Sequence, residues 1–209
     1  MSSGQAAHSL KDGDILRPLG RRLVLLRVGF GVVWAIDAFF KWQPAFVGMI
    51  TEYIVKGAQQ QPGWLLPWFR FWKNLIGSDP HLFAYAAAAI ETVLAVCLIL
   101  GVGRRLVYLL GAAWSLGIWS VPEGFGPVLV PGASDIGAAI MYALIFAALY
   151  SLESAFHPTG WTLDSAIRHR ISWWQRIAEP GGRTAIPAPA NFAPSPAHTT
   201  ENRPERRAA

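Results

Sequence analysis

The chain has 209 residues, of which 53% are hydrophobic and only 15% are charged. Soluble domains usually carry about a quarter charged residues, so this composition and the mean hydropathy of +0.31 favour a membrane protein. The net charge of +5 does not indicate nucleic-acid binding, because the basic residues flank apolar runs instead of forming a stripe with aromatics. The single cysteine, Cys97, excludes an internal disulfide and cysteine-rich metal sites, and no haem, nucleotide or metal-binding motif is present.

The first apolar run follows a polar N-terminal segment. Residues 1–20 are polar and rich in Gly and Ser, which predicts disorder. Arg21 and Arg22 then precede the run Leu23–Phe40, which is long enough for a spanning helix at roughly 20 residues per crossing. Arg27 lies one turn inside this run, and we expect its guanidinium to reach back to the lipid headgroups.

Residues 41–80 form a long connection with two features of a membrane surface. Five apolar residues recur at helical spacing, which predicts an amphipathic helix in the interface: Phe46, Met49, Ile50, Tyr53 and Ile54. A dense aromatic group follows, of the kind that concentrates at the membrane–water boundary: Trp64, Trp68, Phe69, Phe71 and Trp72.

Three further apolar runs predict spanning helices over His81–Gly101, Leu106–Val121 and Ser134–Leu152. Asp79 and Pro80 mark the start of the first of these, since a capping acid followed by proline is a typical helix N-terminus. Alanines recur at helical spacing in two of the runs, which permits close helix packing.

Together these segments predict an all-α fold, a four-helix transmembrane bundle over residues 21–155 with interfacial amphipathic helices. Residues 156–179 predict a basic interfacial helix, and residues 180–209, rich in Pro and Ala, predict a disordered tail. Basic residues cluster before the first span, between the second and third, and after the fourth. The positive-inside rule then places both termini in the cytoplasm. We expect the membrane to be the inner membrane of a bacterium.

Five ionisable residues fall in the middle or outer half of this predicted membrane topology: Asp37, Lys41, Glu91, Glu123 and Asp135. A charged side chain at mid-bilayer costs about 3 kcal/mol even on the lenient insertion scale, so Glu91 is the strongest functional candidate. The predicted N-termini of the second and fourth spans, at Asp79 and at Ser134, also point toward the outer side. With Lys41 nearby, these helix ends suit either a small anion or a quinone headgroup. The candidate catalytic acids argue partly against a free anion and suit proton exchange with a quinol better, so quinone is the candidate cofactor.

Each candidate also has a structural interpretation. Asp135 stands where an N-cap of the fourth predicted helix would lie, and Glu123 sits in a Gly-rich turn at the membrane surface. Asp37 and Lys41 are four residues apart, with the acid first, which is the spacing of a helical ion pair whose two charges neutralise each other. Glu91 fits a protonated carboxyl that hydrogen-bonds across helices for packing.

Three segments occur in an order that resembles a known family. They are Arg27 with WAIDAFFKWQPAF (34–46), AAIETVLAVCLILG (88–101), and EGFG (123–126) with SDIGAAIMY (134–142). This order resembles the DoxX/DoxD-like family of small membrane proteins over residues 21–155. The resemblance implies four spanning helices and, in the DoxD-like branch, the membrane subunit of a thiosulfate:quinone oxidoreductase. The family offers no agreed catalytic motif, so the candidate residues rest on the pattern of polar residues in the membrane.

The sequence therefore leaves three functions open. The first is a redox-associated membrane subunit that works with quinone or a partner redox subunit. No residue pattern here could carry electrons, so they would pass directly between substrate and quinone, or a partner would bring a cofactor. The second is a non-enzymatic scaffold whose basic helix and tail recruit a soluble cytoplasmic protein. The third is a small proton-coupled transporter with Glu91 as its relay, which the lack of evident inverted repeats disfavours.

Overall fold

A computed structural model describes residues 3–156, 162–168, 170, 171, 173, 174 and 178, with residues 3–17, 127, 156, 165 and 168 described by backbone alone. Throughout these ranges the regular structure is helical. The helices are α1 (Ser3–Lys41), α2 (Pro44–Ala58), α3 (Leu66–Ser78), α4 (Pro80–Leu100), α5 (Arg104–Ser120), α6 (Ala138–Phe156) and α7 (Leu163–Arg168). The prediction of an all-α fold is confirmed.

Helices α1, α4, α5 and α6 pack side by side into a bundle. α1 lies along α4 and α5 lies along α6, while α1 also contacts α6 and α4 contacts α5. Their shared core contains large buried side chains from all four helices: Phe30, Trp34, Leu94, Leu98, Tyr108, Phe146 and Leu149. Gly111 allows the close approach of α5 and α6, because a Cβ there would lie 2.3 Å from the Phe146 ring.

Three helical segments are long and apolar enough to cross a membrane: Pro18–Lys41, Pro80–Leu100 and Ala138–Ala155. Only about a third of each is buried in the protein, and large apolar side chains such as Leu25, Phe39 and Val93 face outward. Apolar residues on the outside of such long helices indicate a lipid environment. The prediction of a membrane protein is thus confirmed at this level.

The ends of the helices agree only in part with the sequence prediction. Asp79 caps α4 as expected, with its Oδ1 accepting a hydrogen bond of 3.0 Å from the backbone N–H of Leu82. α1 begins at Ser3 and not near Leu23. The structure therefore differs from the disorder predicted for residues 1–20, because the backbone is helical from Ser3 onward. The physical reason is that the polar segment extends the helix of the first apolar run: each added residue forms one hydrogen bond, and no new helix has to nucleate. The predicted tail, residues 180–209, lies outside the described residues.

Helices α2 and α3 cover the end of the bundle where the α5–α6 loop lies, here called the α5–α6 end. The predicted amphipathic helix is present as α2, and its buried face, Val47, Ile50 and Ile54, packs on protein. Val47 and Ile50 contact Ala84 of α4. Trp64 on the turn before α3 is 73% exposed, so aromatic surface remains available to the membrane interface.

Candidate functional site

An ion triad joins α1 to α4 in the bundle. Lys41 Nζ lies 3.0 Å from Asp37 Oδ2 and 3.4 Å from Glu91 Oε2. The Glu91 side chain is only 1% exposed, whereas the side chains of Lys41 and Asp37 are 20% and 38% exposed. Lys41 is also held over the Phe46 ring, 5.2 Å from its centroid. The structure therefore brings together three of the five predicted site residues.

Aromatic side chains of α5 and α6 complete the surroundings of this triad. Trp114 Nε1 of α5 donates to Glu91 Oε1 across 3.4 Å. Glu91 Oε2 takes part in the ion pair with Lys41 but receives no hydrogen bond of good geometry from the described residues. Tyr142 of α6 interacts electrostatically with Asp37 and Glu91, and its ring lies 5.8 Å from the ring of Trp34. The carboxylate of Glu91 is thus buried and only partly satisfied, as expected of a functional acid more than of a packing residue.

An apolar groove lies between α1 and α4, and its lining contains none of the three triad residues. It has a volume of about 220 Å³ and an almost wholly apolar lining: Ala35, Ala38, Phe39, Trp42, Thr92, Ala95, Val96 and Ile99. Three of these residues, Ala38, Trp42 and Thr92, each directly follow a triad residue in the chain. Trp42 Nε1 donates to Thr92 Oγ1 at 3.0 Å, which ties the two walls together near the triad.

Glu123 and Asp135 have roles that the sequence assigned the other way round. α6 begins at Ala138, four residues after Ser134, so Asp135 does not cap it. Asp135 Oδ1 instead accepts from Gly137 N–H within the loop, at 2.8 Å. The two carboxylate oxygens of Glu123 lie 3.2 and 3.0 Å from the backbone N of Ala139 and accept its hydrogen bond. The N-cap prediction for Asp135 is wrong, because the Gly-rich turn folds Glu123 back over the start of α6.

Glu123 remains near the triad, whereas Asp135 points to solvent. Tyr142 interacts electrostatically with Glu123 as well as with the triad, which places the helix cap and the triad at the same α5–α6 end. Asp135 is exposed, and its one hydrogen bond within the described part of the chain is the loop contact with Gly137. The candidate site therefore consists of Asp37, Lys41 and Glu91, with Glu123 at its edge.

A second ion cluster, which sequence reasoning missed, lies at the opposite end of the bundle, here called the α4–α5 end. Arg104 Nη1 lies 2.8 Å from Glu153 Oε2, and Arg104 Nε lies 3.1 Å from Asp164 Oδ2. Tyr108 donates its hydroxyl to Glu153 Oε1 at 2.7 Å. All four side chains are buried. A signal was present in the sequence, since Glu153 is an acid that directly follows the last apolar run and still lies within the predicted bundle, residues 21–155.

Asp164 connects the C-terminal segment to the turn between α4 and α5. Its carboxylate accepts hydrogen bonds from the backbone N–H groups of Gly103 and Arg104, at 2.8 and 3.2 Å. It also accepts the indole N–H of Trp174 at 2.9 Å. Asp164 is fully buried, so this part of residues 156–179 packs on the bundle and is not purely a basic helix on the membrane surface.

Arg27 belongs to this second end and is fully buried. Its guanidinium lies against Gly101. A Cβ added at Gly101 would collide with the Arg27 guanidinium, so a larger residue there would force Arg27 to move. The expectation that Arg27 reaches the lipid headgroups is wrong, because Gly101 adopts a left-handed conformation and leaves space for the guanidinium inside the bundle.

Comparison of the chain with protein-family models, with curated proteins and with solved structures found no match in any of the three. The resemblance to the DoxX/DoxD-like family therefore stays a prediction that rests on the segments quoted above.

Proposed function

We propose that the chain is a four-span inner-membrane protein of the DoxX/DoxD type that binds quinone beside the ion triad. The observation that carries this proposal is the buried and only partly hydrogen-bonded carboxylate of Glu91 with its partner Lys41. The apolar groove between α1 and α4 is lined by residues adjacent in the chain to the triad and supports the proposal. A quinone needs both features, because its headgroup exchanges protons and accepts hydrogen bonds while its tail is a long hydrocarbon.

The fourth crossing in this proposal is α5. With 17 residues, α5 is about 25 Å long at 1.5 Å per residue, close to the thickness of the hydrocarbon core. It presents Leu106, Leu109, Leu110 and Leu116 on the outside of the bundle. Its lipid-facing leucines and its packing along α6 support a crossing, with the α5–α6 end on the outer side and both termini cytoplasmic.

The residues around the triad fit a quinone headgroup. Lys41 Nζ and the Tyr142 hydroxyl are potential donors to its carbonyl oxygens. Trp34 Nε1 is buried and finds no acceptor among the described residues, so the core beside Tyr142 has an unused donor. The groove would take the first part of the hydrocarbon tail. A bound quinone supplies two-electron, two-proton chemistry, and a partner redox subunit would supply or accept the electrons.

Binding of a short-chain quinone analogue by delipidated protein in nanodiscs tests the headgroup site. Calorimetric titration should show binding by wild type and binding weakened by about tenfold or more in Lys41→Met, as expected for loss of a hydrogen bond from a charged donor. Lys73→Met is the matched control, because Lys73 is exposed on α3 and is not among the groups that interact with Lys41 or Glu91. No binding by wild type, or equal binding by the two variants, contradicts the proposal.

A second pair of variants tests the groove. Val96 lines it, and Val93 is exposed on the same helix without lining it. Val96→Trp should fill the groove and weaken binding of a quinone with an isoprenoid tail, while Val93→Trp should leave binding unchanged. If both variants bind like wild type, the tail does not occupy this groove.

The scaffold alternative is tested by deleting residues 180–209. A scaffold would lose its soluble partner in a pull-down from cytoplasm, whereas a quinone site in the bundle would keep its affinity. The deletion should not extend back to residue 160, because Asp164 and Trp174 make hydrogen bonds that hold the α4–α5 end together. A longer deletion would confuse loss of a partner with loss of the fold.

A further inference from the structure

The exposure of the triad side chains changes in steps from the surface to the core. Asp37 is 38% exposed, Lys41 is 20% exposed and Glu91 is 1% exposed. Lys41 Nζ donates a hydrogen bond to Asp37 Oδ2 at 3.0 Å, and it lies 3.4 Å from Glu91 Oε2, an ion pair that has to shorten before a proton passes. The three side chains therefore form a continuous line that begins at a partly exposed carboxylate and ends at a buried one.

The bundle is closed on the other side of Glu91. Between Glu91 and Gly101, α4 contributes the buried residues Leu94, Ala95 and Leu98, over about 15 Å of helix. The other three helices fill the same layer with Phe30, Trp34, Val107, Phe146 and Leu149. The Phe146 ring packs directly on Gly111, which leaves no gap between α5 and α6 at this level.

Few ionisable groups face Glu91 from the helices packed around it. α1 contributes Asp37 and Lys41, α6 contributes Tyr142, and α5 contributes the neutral indole of Trp114. α2 packs on α4 through Val47 and Ile50. Toward the α4–α5 end, Tyr108 uses its hydroxyl on Glu153, and Cys97 is a half-buried thiol beside the core. Lys41 is therefore the only charged side chain of the described residues in contact with Glu91.

We propose that Lys41 is a proton carrier between Asp37 and Glu91, and that Glu91 exchanges protons only with the α5–α6 side of the membrane. In uptake, Asp37 takes a proton from water, the Lys41 ammonium gives one proton to the Glu91 carboxylate, and the resulting amine takes the proton held by Asp37. Lys41 ends as an ammonium, and one proton has moved from water to Glu91. Release is the same sequence in reverse. This inference rests on the proposed function, since it supplies protons to the quinone site.

The test follows the protonation of Glu91 in sealed vesicles while the pH changes on one side at a time. Vesicles of one orientation are captured through a biotin on Ala133→Cys in a Cys97→Ala background, since Ala133 is exposed in the α5–α6 loop. The infrared band of the protonated carboxyl is assigned to Glu91 by its loss in Glu91→Gln. A pH step on the α5–α6 side should change this band, and a step on the α4–α5 side should leave it unchanged.

Lys41→Arg separates the relay from simple electrostatics. Arginine keeps the positive charge and the ion pairs, but its guanidinium does not release a proton in proteins. After a pH step on the α5–α6 side, the Glu91 band of Lys41→Arg should change at a rate about 100-fold or more below that of wild type. This is the range expected for loss of a general acid–base group. Lys73→Met should respond like wild type. The fold of each variant is checked by its melting temperature in the same vesicles.

Several outcomes overturn the relay. The relay fails if the Glu91 band changes after a pH step on the α4–α5 side, or if it changes as fast in Lys41→Arg as in wild type. It also fails if the band changes after a pH step on neither side. The assay contains no quinone, so its result is independent of the binding titrations. If quinone binding depends on Lys41 but the band follows the α4–α5 side, the relay fails and the proposed function stands. If the relay works in protein that binds no quinone, the proposed function fails.

Discussion

The two ends of the bundle hold ion clusters of similar composition that are satisfied to different degrees. At the α4–α5 end, the Asp164 carboxylate accepts bonds from two backbone N–H groups, a guanidinium and an indole, and Glu153 pairs with Arg104 and Tyr108. At the α5–α6 end, Glu91 has one long indole contact and one ion pair of 3.4 Å without hydrogen-bond geometry. One cluster is closed and the other is partly open.

This difference makes the α4–α5 cluster a structural one and leaves the triad as the candidate functional site. A buried ion network is tolerated when each member has its partners, and a complete network holds one arrangement of the chain. Asp164, Arg104 and Glu153 meet this condition and connect α5, α6 and the C-terminal segment. The triad leaves a buried oxygen without a good hydrogen bond and reaches the surface through Asp37. Such a site can change its protonation without dismantling the fold.

The largest expected effect is from Arg104→Met. This change leaves the buried carboxylates of Glu153 and Asp164 without their cation, and breaking a buried pair typically costs about 3–5 kcal/mol. Thermal unfolding in detergent should show a large loss of stability or no folded protein. Arg105→Met is the matched control, because Arg105 is exposed at the next position. Equal melting of the two variants would contradict a structural role for the α4–α5 cluster.

Replacements of Glu91 should lower the stability less than Arg104→Met does, and their main effect should be on function. Glu91→Leu removes the acceptor of Trp114 and one partner of Lys41, for about 1–3 kcal/mol of lost stability. Glu91→Gln keeps the size and most of the hydrogen bonding, so it should melt like wild type but lose proton exchange. A Gln variant that keeps full activity in a quinone-coupled assay would reduce Glu91 to a packing residue.

The helix cap of α6 gives a smaller effect that distinguishes two neighbouring acids. Glu123→Ala removes the acceptor for the Ala139 N–H and should cost about 1 kcal/mol, the usual value for a lost cap. Asp135→Ala removes only an exposed loop contact, so its melting temperature should stay closer to that of wild type. A greater loss in Asp135→Ala would restore the N-cap role that the sequence suggested for it.

The orientation of the two clusters is tested without a change in stability. Ala133→Cys in a Cys97→Ala background should react with an impermeant thiol reagent added to intact cells. Gly124 is unsuitable for this purpose, because it has a positive φ and an added Cβ would lie 2.2 Å from the carbonyl oxygen of Gly57. Labelling that requires opened membranes would reverse the topology and place the triad on the cytoplasmic side.

The sequence by itself determined the helical class, the apolar segments and the polar residues within them. Periodicity and length suffice for this, because a helix that lies in lipid needs a long run of apolar side chains. The capping acid Asp79 and the pairing of Asp37 with Lys41 were predicted for the same reason, since both depend on residues within four positions of each other. The choice of Glu91 as the central candidate followed from the cost of a carboxylate among apolar neighbours.

Only the tertiary structure decided which distant residues meet. Glu91 joins Lys41 across fifty positions, Arg104 joins Asp164 across 60, and Glu123 reaches Ala139 over a loop. None of these contacts has a periodic signature, because they depend on how the helices pack and on where the turns place the chain. Arg27 and Asp135 were misassigned for that reason: local spacing predicted a snorkelling arginine and an N-cap, whereas packing placed the first inside the bundle and the second in the loop.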